Sequence, residues 1–205
     1  MTSILASIAF AYLLGSIPSA VWYGKIFHGI DIRQHGSGNA GANNSLRTLG
    51  KTAGIIVLLI DFLKGFLAVY LAKYLLKNDA EWEYLAMGIV AVIGHIYPIF
   101  AQFRGGKGIA TAMGVVVAIL PLAAIACIVV FLLIVILTKF VSLGSLLGAL
   151  AFPVQVSLKI WDSQSFHHIN YYGLAWLLFF ILAYTHRENI GRLLKGNESK
   201  FGVKK

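Results

Sequence analysis

The sequence predicts an all-α integral membrane protein, and three observations support this fold class. Hydrophobic residues make up 59% of the 205-residue chain and charged residues only 12%, whereas about a quarter of the residues in a soluble domain are charged. The apolar residues form long runs, and the charged residues are concentrated between these runs and in the C-terminal tail. A bilayer accommodates this composition because lipid removes the need for a charged surface.

Each apolar run is a candidate spanning helix, since a helix needs roughly 20 apolar residues to cross a bilayer. The first run lacks the basic start of a cleavable signal, so we interpret it as a retained helix. The runs lie at about 4–24, 52–76, 84–101, 109–138, 141–158 and 169–185.

The fourth run is too long for one span. A single helix over 109–138 would be about 45 Å long, well past a hydrocarbon core of about 30 Å. Pro121 lies near the middle of this run, and proline can break a helix because it lacks an amide hydrogen. A break at Pro121 would give seven spans instead of six, and the charges decide between the two counts.

The distribution of Lys and Arg favours seven spans. With a break at Pro121, most basic residues fall on one side of the membrane, which the positive-inside rule assigns to the cytoplasm. We therefore expect a seven-helix bundle with its N-terminus outside and its C-terminus in the cytoplasm. The basic residues placed inside are Lys25, Arg33, Arg47, Lys51, Arg104, Lys107, Lys139, Arg187, Arg192, Lys195, Lys200, Lys204 and Lys205. The outer side keeps Lys73, Lys77 and Lys159, together with Asp79, Glu81, Glu83 and Asp162.

The net charge of +9 fits this topology and contact with anionic lipids better than it fits nucleic acid. We expect residues 1–205 to form a single membrane-embedded domain in a lipid bilayer, with no obligate protein partner. The single cysteine, Cys127, lies among Ala, Ile and Val, and we interpret it as a small apolar filler.

The polar segment 36–47 is rich in glycine. Its glycines and Ser37 would let backbone N–H groups turn toward an anion. Arg47 would add a planar charge that binds phosphate through two hydrogen bonds. A flexible connection between helices is the alternative, and this segment alone does not decide between them.

The polar segment 94–111 contains Gly105-Gly106-Lys107-Gly108 ahead of an apolar helix. Glycines in this position direct free amides and the positive end of the helix dipole at one point. The spacing of a nucleotide-binding P-loop is absent. The alternative is a basic topology marker with glycine hinges. His95, at the head of the segment, is either a packing residue or part of a site.

The segment 186–198 follows the last apolar run. His186 and Asn189 are three residues apart and share a helical face. The alternative is a basic stretch that contacts lipid head groups. The predicted topology puts all three polar segments on the cytoplasmic side, and together they suggest a phosphate-containing ligand.

Asp61 and Lys64 are three residues apart within the second apolar run, so they can pair on one face. Charges at membrane depth usually face the interior of a bundle. The pair either lines a site or stabilises the bundle, and we favour the structural role.

These segments closely resemble the three motifs of the bacterial acyl-phosphate-dependent glycerol-3-phosphate acyltransferases of the PlsY type. The second motif is long and specific, and the resemblance runs from about residue 10 to residue 198. The matching residues are Gly36-Ser37-Gly38-Asn39, Gly41, Arg47, Asp61-Phe62-Leu63-Lys64-Gly65, Gly94-His95, Pro98, Phe103-Arg104-Gly105-Gly106-Lys107-Gly108, Ala110-Thr111 and His186-Arg187-Glu188-Asn189-Ile190.

The resemblance implies a seven-helix enzyme of the bacterial cytoplasmic membrane whose active site faces the cytoplasm. It implies transfer of a fatty acyl group from acyl phosphate to glycerol 3-phosphate, which gives lysophosphatidic acid and phosphate. By the same resemblance, the catalytic residues that hold phosphate groups are Ser37, Arg47 and Lys107. The implied substrate contacts are Asn39, His95, Gly105, Gly106, Gly108, Ser142, His186 and Asn189.

Two positions depart from the family pattern. Asn43 stands where the family usually has threonine, and Arg104 stands where it usually has lysine. We expect no cofactor, and no metal because the histidines are scattered along the sequence. No arrangement of serine, histidine and aspartate that would activate a nucleophile is evident either.

A small-anion or phosphate-ester transporter is the alternative function. It would also use glycines, basic residues and broken helices. It predicts internal repeats and polar residues along a pathway, and neither is evident in this sequence.

Overall fold

The computed structural model describes residues 2–76, 81–158 and 168–202, and the regular structure in these ranges is helical. Two single turns of 3₁₀ helix cover Ile32–Gln34 and Ile99–Ala101. The chain divides into two compact units, Met1–Ile119 and Leu120–Lys205. The helices of the first unit are α1 Thr2–Gly15, α2 Ser19–His28, α3 Ala42–Leu49, α4 Lys51–Leu76, α5 Glu81–Ile96 and α6 Ile109–Ile119. Those of the second are α7 Pro121–Thr138, α8 Val141–Ser157, α9 His168–Thr185 and α10 Arg187–Leu194.

The first predicted run, 4–24, is two helices rather than one. α1 ends at Gly15, α2 begins at Ser19, and the two are bent by 42°. Pro18 lies in the break, where it cannot donate the hydrogen bond that would continue α1. The run is therefore a broken segment, which length and hydropathy alone did not predict.

The predicted break at Pro121 is confirmed. α6 ends at Ile119, and Pro121 is the first residue of α7. Proline is well tolerated there because the first helical N–H has no partner within the helix. One long apolar run thus becomes two helices.

The all-α membrane fold class is also confirmed, although the seven-span count and the orientation of the termini stay predictions. By length and composition, α4, α5 with its following turn, and α7 are sufficient to cross a membrane, and the bent α1–α2 pair is a fourth candidate. Three shorter apolar helices lie in α6, α8 and α9. Part of the charge argument falls outside the described residues, namely on Lys77, Asp79, Lys159, Asp162, Lys204 and Lys205.

Small residues bring the backbones of α4 and α6 together in the first unit. A Cβ added at Gly65 of α4 would overlap the Thr111 carbonyl, and one added at Gly114 of α6 would overlap the Phe62 carbonyl. Membrane helices associate closely where small residues allow such contact. This packing fixes the position of α6, whose N-terminus follows the Gly105–Gly108 segment.

The second unit also has a tightly packed helix pair. A Cβ added at Gly148 of α8 would lie 3.1 Å from the Cys127 carbonyl oxygen of α7. Cys127 itself is buried, as expected of an apolar filler.

Candidate functional site

The first loop, residues 36–47, is organised by the buried amide of Asn44. The Asn44 Oδ1 accepts a hydrogen bond of 2.9 Å from the Ser37 amide. Its Nδ2 lies 3.0–3.1 Å from the carbonyl oxygens of Ile32, His35 and Asn39. One side chain therefore fixes four points of the surrounding backbone.

The predicted residues of the first loop occupy different local settings. Ser37 is exposed and is tied to Asn44 through its backbone. Asn39 is half-buried. Arg47 is exposed and belongs to α3, so the end of the predicted loop is helical. Gly36 and Gly38 have φ angles of 63° and 72°, a region that favours glycine.

Asn44 was missed by the sequence reasoning, which gave weight to glycines and charges. A signal was present, because asparagine is a poor residue for a helix interior and often bonds to nearby backbone. The identity of its partners, however, depends on how the loop folds back over α3.

The second loop, Gly105–Gly108, is bonded to the end of α5. The Gly106 amide donates to the His95 carbonyl at 3.2 Å, and the Gly105 amide donates to the Ile96 carbonyl at 3.1 Å. α6 begins at Ile109, directly after this loop, as predicted. The free amides and positive dipole of the first turn of α6 therefore lie next to Lys107, which is half-buried.

The two loops meet at Gly106. A Cβ on this residue would overlap His95 Nε2 and would lie 2.9 Å from the Ala40 carbonyl oxygen of the first loop. Any side chain at this position would push apart the first loop and His95. The structure thus brings together the first two predicted motifs within the first unit.

An ion pair before the first loop strengthens this approach. Arg33 binds the Asp31 carboxylate through its Nε and Nη2 atoms at 2.9 and 2.6 Å. Its Nη1 donates to the Ala101 carbonyl at 2.8 Å, just before the second loop. The hydrogen bond from Arg33 lowers the pKa of Asp31 to about 2, so the carboxylate stays charged throughout the neutral range.

In the second unit, Ser142 and Asn189 are brought together by Glu198. Ser142 Oγ and Asn189 Nδ2 donate to the same oxygen, Glu198 Oε1, at 2.9 and 2.7 Å. Arg192 Nε donates to the other carboxylate oxygen at 2.7 Å. Burial raises the pKa of Glu198, but the hydrogen bonds from Asn189, Arg192 and Ser142 outweigh it and hold that pKa below its ordinary value.

Glu198 is the second residue that the sequence reasoning missed. It lies after α10, in a tail segment with no recognisable helical pattern. Only the return of this tail to α8 gives the glutamate its partners, so the sequence carries little signal for it.

His186 precedes α10 and is buried. Its Nδ1 lies 2.8 Å from the Leu182 carbonyl oxygen, which can only accept a hydrogen bond. Nδ1 therefore carries a proton in this contact. The predicted site residues thus form two groups, one in each compact unit.

Within residues 2–76, 81–158 and 168–202, no three His, Cys, Asp or Glu side chains are arranged to hold a metal ion. The expectation of a metal-free site stays a prediction.

Fold and site together define a helical membrane protein with glycine-lined, basic loops ahead of a helix N-terminus. A family model described as glycerol-3-phosphate acyltransferase matches residues 5–196. The glycerol-3-phosphate acyltransferase of Shouchella clausii is 42% identical over 205 residues, which cover 100% of this chain and 98% of that protein. The enzyme of the same name from Listeria monocytogenes serovar 1/2a is 45% identical over 190 residues, with 93% and 92% covered.

Two solved structures are also similar to this chain, both of PlsY (YgiH), an integral membrane glycerol 3-phosphate acyltransferase. Its glycerol 3-phosphate form is 40% identical, with a TM-score of 0.89 and coverage of 98% of this chain and 96% of that one. Its lysophosphatidic acid form has a TM-score of 0.85 at the same identity and coverage. The chain belongs to the glycerol-3-phosphate acyltransferase family. It is accordingly a membrane acyltransferase of lipid biosynthesis.

Proposed function

We propose that the chain transfers a fatty acyl group from acyl phosphate to glycerol 3-phosphate and releases lysophosphatidic acid and phosphate. The observation that supports this best is the meeting of the two loops at Gly106. It places the first loop beside the segment that leads into α6. Glycine-rich backbone at a helix N-terminus is a setting that binds phosphate.

Charge neutralisation is the main contribution we assign to the first unit. Both substrates are anions, and their reacting atoms must approach one another against electrostatic repulsion. Lys107, Arg47 and Ser37 would hold the phosphate groups, and the amides of Gly105, Gly106 and Gly108 would form the cradle. Preorganised donors of this kind act mainly by positioning and by stabilising developing charge.

The chemical step is a single displacement at the acyl carbon. The primary hydroxyl oxygen of glycerol 3-phosphate attacks the acyl carbonyl carbon, and the bond from that carbon to the phosphate oxygen breaks. The hydroxyl proton passes to the leaving phosphate. No protein nucleophile is needed because acyl phosphate is a mixed anhydride with a good leaving group.

In the second unit, Ser142, His186 and Asn189 are the residues we assign to glycerol 3-phosphate. Asn189 carries an amide and Ser142 a hydroxyl, both of which are uncharged hydrogen-bonding groups. Uncharged groups of this kind suit the hydroxyls of the glycerol moiety. We place this chemistry at the cytoplasmic face of the bacterial inner membrane, where glycerol 3-phosphate is available.

The test is an assay of purified protein in detergent with labelled glycerol 3-phosphate and three donors in parallel: palmitoyl phosphate, palmitoyl-CoA and palmitoyl carrier protein. We expect labelled lysophosphatidic acid with palmitoyl phosphate only. Product from a thioester alone would contradict the proposed donor. Uptake of label into proteoliposomes without any product would favour the transporter.

A further inference from the structure

Four polar side chains form a buried cluster beneath the loops of the first unit: Ser19, Asp61, Lys64 and His95, which are 5%, 1%, 3% and 6% exposed. Asp61 Oδ1 accepts a hydrogen bond from Ser19 Oγ at 2.7 Å and one from Lys64 Nζ at 2.8 Å. His95 Nδ1 lies 3.4 Å from the same oxygen. Lys64 Nζ also donates to the Ile17 carbonyl at 2.8 Å, in the break between α1 and α2.

Burying this charged cluster in a membrane protein costs free energy, so its presence needs a physical explanation. An isolated charge at membrane depth is strongly unfavourable, and a buried ion pair often stabilises no more than an apolar replacement would. Stability alone is therefore a weak explanation for it. The cluster does, however, join α2 to α4 by a hydrogen bond and place His95 of α5 3.4 Å from the Asp61 carboxylate.

His95 connects the cluster to the second loop. One ring nitrogen, Nδ1, faces Asp61, and the other, Nε2, is packed against Gly106 so closely that a Cβ there would overlap it. The His95 backbone carbonyl also accepts the Gly106 amide hydrogen bond. The orientation of the His95 ring therefore sets how near the Gly105–Gly108 loop can approach α5.

We propose that Asp61 is a positioning residue for acyl transfer, because it orients His95 and thereby sets the Gly105–Gly108 loop and Lys107. Asp61 itself does not touch substrate. Lys64 neutralises its charge, and Ser19 holds the carboxylate oxygen that faces the His95 ring. This proposal rests on the proposed role of the loop as the phosphate cradle.

The first test replaces Asp61 by Asn, which keeps the size of the side chain and removes its charge. We expect KM for glycerol 3-phosphate to rise and kcat/KM to fall by about 10- to 100-fold, because small displacements of a binding loop are costly to catalysis. Glu83→Gln is the matched control, since Glu83 is a buried carboxylate on α5, 12 residues before His95 and about 18 Å away along the helix. It should change thermal stability without changing KM. Equal effects of the two variants on KM would overturn the proposal.

A double-variant cycle separates positioning from general stability. Gly106→Ala pushes on the His95 ring directly. If Asp61 acts through that ring, Asp61→Asn in the Gly106→Ala background should lower kcat/KM little further. Multiplication of the two single effects would show that Asp61 acts independently of the loop.

Asp61→Asn alone leaves Lys64 as an unpaired buried charge. If that variant does not fold, the double variant with Asp61→Asn and Lys64→Met removes both charges, and a buried site tolerates this better than one unpaired charge. The same rise in KM is expected, and wild-type KM in this folded variant would overturn the proposal. A different result would contradict the proposed function itself, namely wild-type protein that makes no product from acyl phosphate. The two results are therefore distinguishable.

Discussion

Asn44 and Asn43 are adjacent residues of α3 with opposite surroundings. Asn44 is buried and contacts the backbone of Ser37 and Asn39 in the first loop and of Ile32 and His35 just before it, whereas Asn43 is exposed. A single buried side-chain amide can determine a loop conformation, because each buried backbone group left without a hydrogen bond would cost about 1–3 kcal/mol of stability.

Asn44→Ala should therefore lower activity and stability together. The buried Ile32 carbonyl and the partly buried groups of Ser37, His35 and Asn39 lose their partner, so we expect the free energy of unfolding to fall by about 2 kcal/mol and KM for glycerol 3-phosphate to rise. Thermal unfolding in detergent and steady-state kinetics measure the two effects. Asn43→Ala is the control and should resemble wild type. An Asn44→Ala enzyme with unchanged KM would show that the first loop does not depend on this amide.

Lys107→Ala tests the charge next to the N-terminus of α6. We expect kcat/KM to fall by more than about 100-fold, because a positioned charge stabilises the transition state by several kcal/mol. The melting temperature should change little, since Lys107 is only half-buried. Lys51→Ala removes an exposed lysine at the start of α4 and controls for net charge. Near-normal turnover by Lys107→Ala would exclude the proposed role.

Among the elements, the C-terminal tail of the second unit is held back against its own helices. The Asn197 amide donates to the Arg192 carbonyl at 2.8 Å, and the Phe201 amide donates to the Lys139 carbonyl at 2.7 Å. Lys200 lies over the ring of Phe140, 5.7 Å from its centre. These contacts bring Glu198 to Ser142 and Asn189, so the tail forms part of the surroundings of these two candidate site residues.

Glu198→Gln tests this arrangement through its dependence on pH. The folded pKa of Glu198 lies below its ordinary value, so its stabilisation is complete above the unfolded pKa of about 4.3 and is lost as pH falls through the folded pKa. We expect the variant to melt at a lower temperature than wild type at pH 7. The difference should shrink below pH 4.

The control for this experiment is Glu188→Gln, which neutralises an exposed glutamate on the same stretch of chain. Its melting temperature should follow wild type across the pH range. A Glu198→Gln difference that stayed constant down to pH 3 would show that the ionised carboxylate is not what holds the tail.

For the whole molecule, the arrangement of spans in the membrane is the main open prediction. Within the part of the chain that the structure describes, three helices are long enough to cross a membrane, the bent α1–α2 pair is a fourth candidate, and three shorter apolar helices accompany them. An odd number of spans puts the two termini on opposite sides. The basic loops and tail then face the cytoplasm, in accord with the positive-inside rule.

Single-cysteine labelling tests this topology. Cys127 is the only cysteine and is buried, so Cys127→Ser provides a background for new cysteines. With a membrane-impermeant maleimide, Asn78→Cys should be labelled in intact cells. Lys195→Cys should be labelled only after permeabilisation. Labelling of Lys195→Cys in intact cells would contradict a cytoplasmic C-terminus.

The sequence by itself determined the features that depend on local chemistry. Low charge and long apolar runs specify an all-α membrane protein, because only a lipid environment suits that composition. Pro121, in a run too long for one span, marks the end of one helix and the start of the next through its missing amide hydrogen. Pro153, in a run of ordinary length, lies inside α8 without breaking it. The glycines before Ile109 likewise mark the start of α6 from their own positions.

The tertiary structure alone decided which distant groups meet. His95 reaches Gly106 because α5 and the second loop pack together, and Glu198 reaches Ser142 because the tail returns to α8. The contacts that Asn44 makes with the carbonyls of Ile32 and His35 likewise depend on how the first loop folds back over α3. Such contacts depend on the packing of segments far apart in sequence, which periodicity and composition do not encode.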